Sequence, residues 1–160
     1  VKSSDSGDFD KARQYAFLLL RYRDRSEGEI IQRLTKKGFP EETACRVRDY
    51  LKERGFIDDL KLTEALKRTA IEQKRLGRAG VYRYLVSRGI PPETAREAAA
   101  EDPGYASSAA ALVERKLRQC AGLDGLTVKR RLWSALAGKG YSPEEIRSAI
   151  KDIITADDGC

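Results

Sequence analysis

The sequence predicts an all-α fold, three tandem three-helix repeats of about 51 residues forming an elongated curved array. Three observations carry that reading. One pattern recurs as Leu34-Thr-Lys-Lys-Gly38-Phe39-Pro40, Leu85-Val-Ser-Arg-Gly89-Ile90-Pro91 and Leu136-Ala-Gly-Lys-Gly140-Tyr141-Ser142-Pro143, with its glycines 51 residues apart both times. Each copy spells the end of one helix and the start of another. Between copies, apolar residues recur at helical spacing, and convincing period-two alternation is absent.

The pattern is a statement of geometry. Glycine adopts the left-handed conformation that closes a helix without a Cβ clash, and the apolar residue after it folds back onto the last turn. Phe39, Ile90 and Tyr141 are those returning residues. Proline follows, where it cannot extend the old helix but suits the first turn of a new one. Lys37, Arg88 and Lys139 precede the three glycines, where a cation offsets the negative end of the helix dipole.

The first repeat spans residues 9–57. Its first helix is expected from Lys11 to Arg23, with Tyr15, Leu18, Leu19 and Tyr22 at helical spacing. Ser26 and Glu29 form a capping box for the second, whose Ile30 and Leu34 share a face. The third runs from about Glu41 to Arg54, with Ala44, Val47 and Leu51 inward, and Gly55-Phe56 closes it.

The second repeat spans residues 58–102. Asp58-Asp59 offers an N-cap to a helix carrying Leu62, Leu66, Thr69 and Ala70 on one face and ending near Gly77. Val81 and Leu85 then repeat Ile30 and Leu34. A short third helix with Ala95, Ala98 and Ala99 stops at Asp102-Pro103, because the residue before proline is pushed out of the α region.

The third repeat spans residues 103–155. It places Val113 and Leu117, then Leu132 and Leu136, then Ile146, Ala149, Ile150 and Ile153 at helical spacing. Gly122-Leu-Asp-Gly125 joins its first two helices, and Ser142 with Glu145 is a second capping box. The acidic end, Asp157-Asp158-Gly159-Cys160, falls outside the repeat.

Composition narrows the function. Histidine is absent, as are a Cys-x-x-Cys pair, a phosphate-cradling glycine loop and a Gly-x-Ser-x-Gly elbow, so no catalytic residues, metal site or cofactor are expected. Asp58-Asp59 is too small a carboxylate set for a Mg²⁺ site. Cys45, Cys120 and Cys160 are scattered, and the polar start from Val1 to Asp10 has no signal-peptide core. A cytoplasmic protein with no membrane segment is expected, and a monomer, since no heptad seam is visible.

Charge is distributed unevenly, and the split matters more than the net +6. Residues 60–90 carry a net +6 and 112–140 a net +5, whereas 91–111 and 141–160 each carry a net −3. The positive field therefore comes from the first two helices of the second and third repeats. Lys61, Glu64, Arg68, Glu72 and Arg75 alternate in sign at three- and four-residue steps, as a solvated face does. Lys67, Lys74, Arg78 and Arg83 lack such neighbours, as do Arg130 and Arg131, and these six are the candidate binding residues for an acidic partner. Tyr82, Tyr84 and Trp133 sit at the edges of inner faces and read as packing before they read as base-stacking platforms. The helices after the tight turns begin Glu41-Glu42, Pro92-Glu93 and Pro143-Glu144-Glu145, so carboxylates stand where a DNA-reading helix would meet phosphates.

An ordered set of short motifs runs through residues 11–155. It comprises Arg25-Ser26-Glu27, Leu34-x-x-Lys37-Gly38-Phe39, Leu51-x-Glu53-x-Gly55-Phe56-Ile57-Asp58-Asp59, Gly77-Arg-Ala-Gly80-Val81 and Leu85-x-x-Arg88-Gly89-Ile90. In this order they resemble RecX, the bacterial family that regulates the RecA recombinase. The resemblance implies a curved stack of three-helix repeats lying in the groove of the RecA–DNA filament. There it would restrain ATPase and strand-exchange activity and favour disassembly, and so act on DNA repair and recombination. The alternative is a non-specific binder that masks single- or double-stranded DNA. The two differ in salt response and in dependence on the recombinase.

Overall fold

The structure, a computed structural model, describes residues 2–157, with side chains over residues 6–153. Of the acidic end, Asp158, Gly159 and Cys160 lie outside the described residues, as does the side chain of Asp157. The described residues form nine helices and no strand: α1 (Lys2–Tyr22), α2 (Glu27–Lys37), α3 (Glu41–Glu53), α4 (Asp59–Glu72), α5 (Arg78–Ser87), α6 (Pro92–Ala98), α7 (Gly104–Gln119), α8 (Gly125–Gly138) and α9 (Pro143–Asp157). The fold is an all-α helical repeat. Two compact units make up the chain: Val1–Ala65 with Leu85–Ala95, and Leu66–Tyr84 with Arg96–Cys160.

In the first unit, Ala12, Ala16 and Leu19 of α1 pack with Ile30 and Leu34 of α2 and Ala44, Val47 and Leu51 of α3. This corrects the expected inner face of α1: Leu18 is 49% exposed and Tyr22 84% exposed, while the alanines turn inward. Two small residues on one stripe let the helix axes approach closely. The helix also begins nine residues earlier than expected, and Phe9 on that added stretch meets Tyr50 edge-on at 6.0 Å.

Gly38, at φ 108°, closes α2 as its sequence requires: its N–H donates to Thr35 O, and the Phe39 N–H reaches Leu34 O at 3.1 Å. The same paired bonds close α3 at Gly55-Phe56, α5 at Gly89-Ile90 and α8 at Gly140-Tyr141. Ser26 caps α2, accepting from the Glu29 N–H at 3.0 Å. The return half of that capping box does not form, because Glu29 turns to two arginines instead. Its carboxylate accepts from Arg23 at 2.6 Å and from Arg25, whose Nε also donates to Leu19 O. Arg25 and Glu29 are both buried, and each needs the other's charge. The aspartate pair divides its work: Asp58 accepts from the Leu60 and Lys61 N–H groups of its own helix, and Asp59 accepts from the Glu27 N–H at the start of α2, at 2.9 Å.

In the second unit, Ala109, Leu112 and Val113 of α7, Leu132 and Leu136 of α8, and Tyr141, Ile146 and Ile150 form the core, with Leu117, Trp133, Ala149 and Ile153 half-buried around it. Asp124 caps α8 through the Thr127 N–H at 2.9 Å, a cap not anticipated from the sequence. Here the Ser142–Glu145 box is complete: the Ser142 N–H donates to Glu145 at 2.6 Å and the Glu145 N–H to Ser142 Oγ at 3.2 Å. Tyr105 donates its buried hydroxyl to Ala99 O, and burial pushes the phenol up to about 12. Ser108 Oγ donates to Ile71 O at 2.5 Å.

Leu62, Leu66, Ala70, Val81, Leu85, Ile90, Ala95 and Ala99 of the middle repeat are buried as expected, but Thr69 is only half-buried and Thr63 is buried in its stead. Thr63 satisfies its hydroxyl on Asp59 O, at 2.6 Å. Helix α4 ends at Glu72, five residues short of Gly77.

Candidate partner-binding surface

The repeat docks a glycine turn on the start of a helix twice, once inside each unit. In the first unit the turn at Gly89 docks on the start of α2. Ser26 Oγ donates to Arg88 O at 2.8 Å, and a Cβ on Gly28 would come within 2.9 Å of Gly89 O. In the second unit the turn at Gly140 docks on the start of α5. There the Gly77 N–H donates to Lys139 O at 2.9 Å and the Ala79 N–H to Gly140 O at 3.2 Å. A Cβ on Gly77 would come within 2.7 Å of the Tyr141 nitrogen, and one on Gly80 would overlap Lys139 O. Glycine is required here by close approach of two backbones.

All six candidate binding residues fall in the second unit. Lys67 departs from expectation: its ammonium pairs with Asp102 at 2.9 Å, a partner from outside its own helix. That hydrogen bond, aided by the Gly104 N–H, holds the Asp102 carboxyl below the usual carboxylate range. Lys74, Arg78, Arg83, Arg130 and Arg131 are exposed, and none forms an ion pair with a described residue.

Backbone connections bring some of these together and separate others. Lys74 Nζ stands 5.2 Å from the centre of the Tyr84 ring, which ties the loop after α4 to α5. Arg78 opens α5 between the two residues bonded to the Lys139–Gly140 turn, so it shares the joint with Lys139. Arg83 lies five residues further along α5, about 7.5 Å of axial rise. Arg130 and Arg131 stand eight or nine residues before Lys139 on α8, about 12 Å or more from the joint. They form a second cationic group.

Two residues of this surface escaped the sequence reading. Lys139 reads first as a helix-end cation. Arg75 reads as the last member of a paired stripe on α4, but the helix stops before it, and it pairs with no described acid. Its φ of 56° is the only positive φ outside glycine among the described residues. The Tyr141 hydroxyl donates to its carbonyl at 3.2 Å. Tyr84 lies under Lys74, and Arg147 stands 5.9 Å from the Trp133 ring, so both aromatics carry a cation of this chain.

Among the described residues no group of histidine, cysteine, aspartate or glutamate could hold a metal ion, and no helix is long and apolar enough to cross a membrane.

These features define a class: tandem three-helix repeat proteins that present charged surfaces on an all-α scaffold. Within that class, a model of the first three-helix domain of RecX matches residues 12–51, and one of the third three-helix domain matches residues 105–150. The regulatory protein RecX of Amycolatopsis mediterranei is 31% identical over 146 residues, covering 90% of this chain and 83% of its own. That of Mycolicibacterium smegmatis is 32% identical over 155 residues, covering 92% and 80%. The chain belongs to the RecX family. The crystal structure of RecX from Lactobacillus salivarius superposes with a TM-score of 0.79 at 20% identity, covering 94% of this chain and 99% of that one.

Proposed function

We propose that this chain is a non-enzymatic inhibitor of the RecA recombinase that binds in the groove of the RecA–DNA filament, slows its ATPase and strand exchange, and so acts on recombinational repair. Membership of a family of regulatory proteins over nine-tenths of the chain supports the role. The observation that carries the mode of action is the exposed set Lys74, Arg78, Arg83, Arg130 and Arg131, none of which forms an ion pair with a described carboxylate. Such a set attracts an acidic partner and steers its approach. Lys67, tied to Asp102, belongs to the edge of this surface. We take residues 9–57, 58–102 and 103–155 as the three repeats, each in contact with the next through the glycine joints.

The test is a titration into the recombinase's DNA-dependent ATPase, run beside binding to bare single strands. Inhibition at doses too low to coat the DNA is the expected result. Replacing Lys74, Arg78, Arg83, Arg130 and Arg131 together by glutamate should weaken it while helicity is kept. Inhibition that appears only when the DNA is saturated would instead identify a masking protein.

A further inference from the structure

We infer that Arg75 is a partner-contact residue, and that with Lys74, Arg78 and Lys139 it forms one four-cation surface at the joint of the second and third repeats that receives a carboxylate-rich protein face. This rests on the reading above and names the part of the surface that does most of the work.

The first argument is backbone conformation. A left-handed backbone disfavours any residue with a Cβ, and the other left-handed positions described, Gly38, Gly55, Gly89, Gly122 and Gly140, are all glycine. Arginine at 75 breaks that rule, and locally unfavourable conformations that persist mark functional positions. The second argument is an internal control. Residues 51 positions earlier build a like joint, and there Arg23 stands for Lys74 and Arg88 for Lys139, but Asp24 stands for Arg75 and Glu27 for Arg78. Glu27 pairs with Lys52 at 3.0 Å, so the first joint balances its charges. The second leaves its cations without described acids, and the first turn of α5 holds no acidic residue. Both joints dock a glycine turn on a helix start, and the first does so with acids at the positions of Arg75 and Arg78, so the docking does not require the positive charge of the second. Like charges gathered this way repel until an anionic partner arrives.

The partner's chemistry follows from what the joint has already used. The Gly77 and Ala79 N–H groups at the start of α5, which a phosphate would seek, are bonded to Lys139 and Gly140 carbonyls. Tyr84, beside the joint, already carries the Lys74 ammonium 5.2 Å from its ring centre. What remains is side-chain charge, with two guanidinium forks that pair with carboxylates; the same forks pair with phosphates, which is why the test includes bare DNA.

The experiment compares Arg75→Gly and Arg75→Asn, both tolerant of the left-handed backbone, with the wild-type chain. Thermal unfolding, ATPase inhibition and binding to bare single strands are measured at moderate salt. The expected result is an unfolding temperature at or above wild type, about tenfold weaker inhibition, as loss of one charge-assisted hydrogen bond implies, and unchanged binding to bare DNA. Equal inhibition by wild type and both variants would overturn the inference alone. So would a markedly lowered unfolding temperature, which would make Arg75 structural, or a parallel loss on bare DNA, which would make the partner a nucleic acid. If the wild-type chain leaves the ATPase untouched, the proposed function fails and this inference with it.

Discussion

The two glycine joints do the same mechanical job with different chemistry. At the first, a side chain mediates: Ser26 caps α2 and at the same time donates to Arg88 O, so one hydroxyl satisfies two elements. At the second, position 77 is glycine, and two backbone bonds make the link, joined by the Tyr141 hydroxyl on the Arg75 carbonyl. Around the first joint Arg23 and the buried Arg25 share Glu29, and Glu27 pairs separately with Lys52 and Arg48. Around the second, Lys74 and Arg78 are exposed, Arg75 and Lys139 are half-buried, and none of the four pairs with a described acid. The repeat thus preserves the turn glycine and the close approach, and leaves the surrounding charges to diverge.

That comparison can be broken most severely at the second joint. Gly80→Ala drives a methyl into Lys139 O, a backbone carbonyl that cannot turn aside without moving the chain. Alanine's helix propensity returns about 1 kcal/mol, but the overlap should cost about 4 kcal/mol net, read as the midpoint shift in urea unfolding. Gly28→Ala at the first joint meets Gly89 O at 2.9 Å and should cost well under half as much. Equal losses would mean that the joints are mechanically alike after all.

Next in size is Glu29→Ala, which leaves Arg25 buried opposite nothing but Leu19 O. Removing one member of a buried pair costs about 3 kcal/mol. The second joint has Gly80 at the matching position and no ionic network to lose. Ser26→Ala follows, at about 1–2 kcal/mol for a lost cap and a lost buried hydrogen bond.

Features dictated by local backbone chemistry were legible in the sequence. Gly38, Gly89 and Gly140 announce left-handed helix ends because few other residues tolerate them, and Ser26, Ser142 and Asp58 announce caps by residue type. What depends on distant partners was not legible. Glu29 abandons its capping role because Arg23 and Arg25 offer charge, and Lys67 finds Asp102 only once the chain has folded. Ala12 and Ala16 were overlooked beside Leu18 and Tyr22 because small residues contribute weakly to an apolar pattern, although close helix packing favours them. Of the surface, the net positive charge was visible but not its division into the joint and the Arg130–Arg131 group. Arg75 was hidden because no glycine or proline marks the end of α4, so the helical pattern ran on past Glu72.

The smallest expected effects lie in two carboxylates whose titration runs in opposite directions in the two units. Asp102 is held below its ordinary range by Lys67 and the Gly104 N–H. A depressed carboxyl stabilises the fold above the usual carboxylate range, and this contribution is lost as pH falls through its lowered value. Asp59, beside the first joint, is raised instead: burial opposes its charge, and the Glu27 N–H compensates only in part. Its preference for the folded state is present at low pH and lost as pH rises through its raised value. Asp102→Asn should therefore cost under about 1 kcal/mol at neutral pH and flatten the acid limb of stability. Asp59→Asn keeps an acceptor for the Glu27 N–H while removing the buried charge, so neutral-pH stability should hold or rise by about a few tenths of a kcal/mol. Urea midpoints for both variants across the acid range check the signs. A loss of neutral-pH stability in Asp59→Asn comparable to that of Ser26→Ala would show that the first joint needs the charge of Asp59 as well as its oxygen.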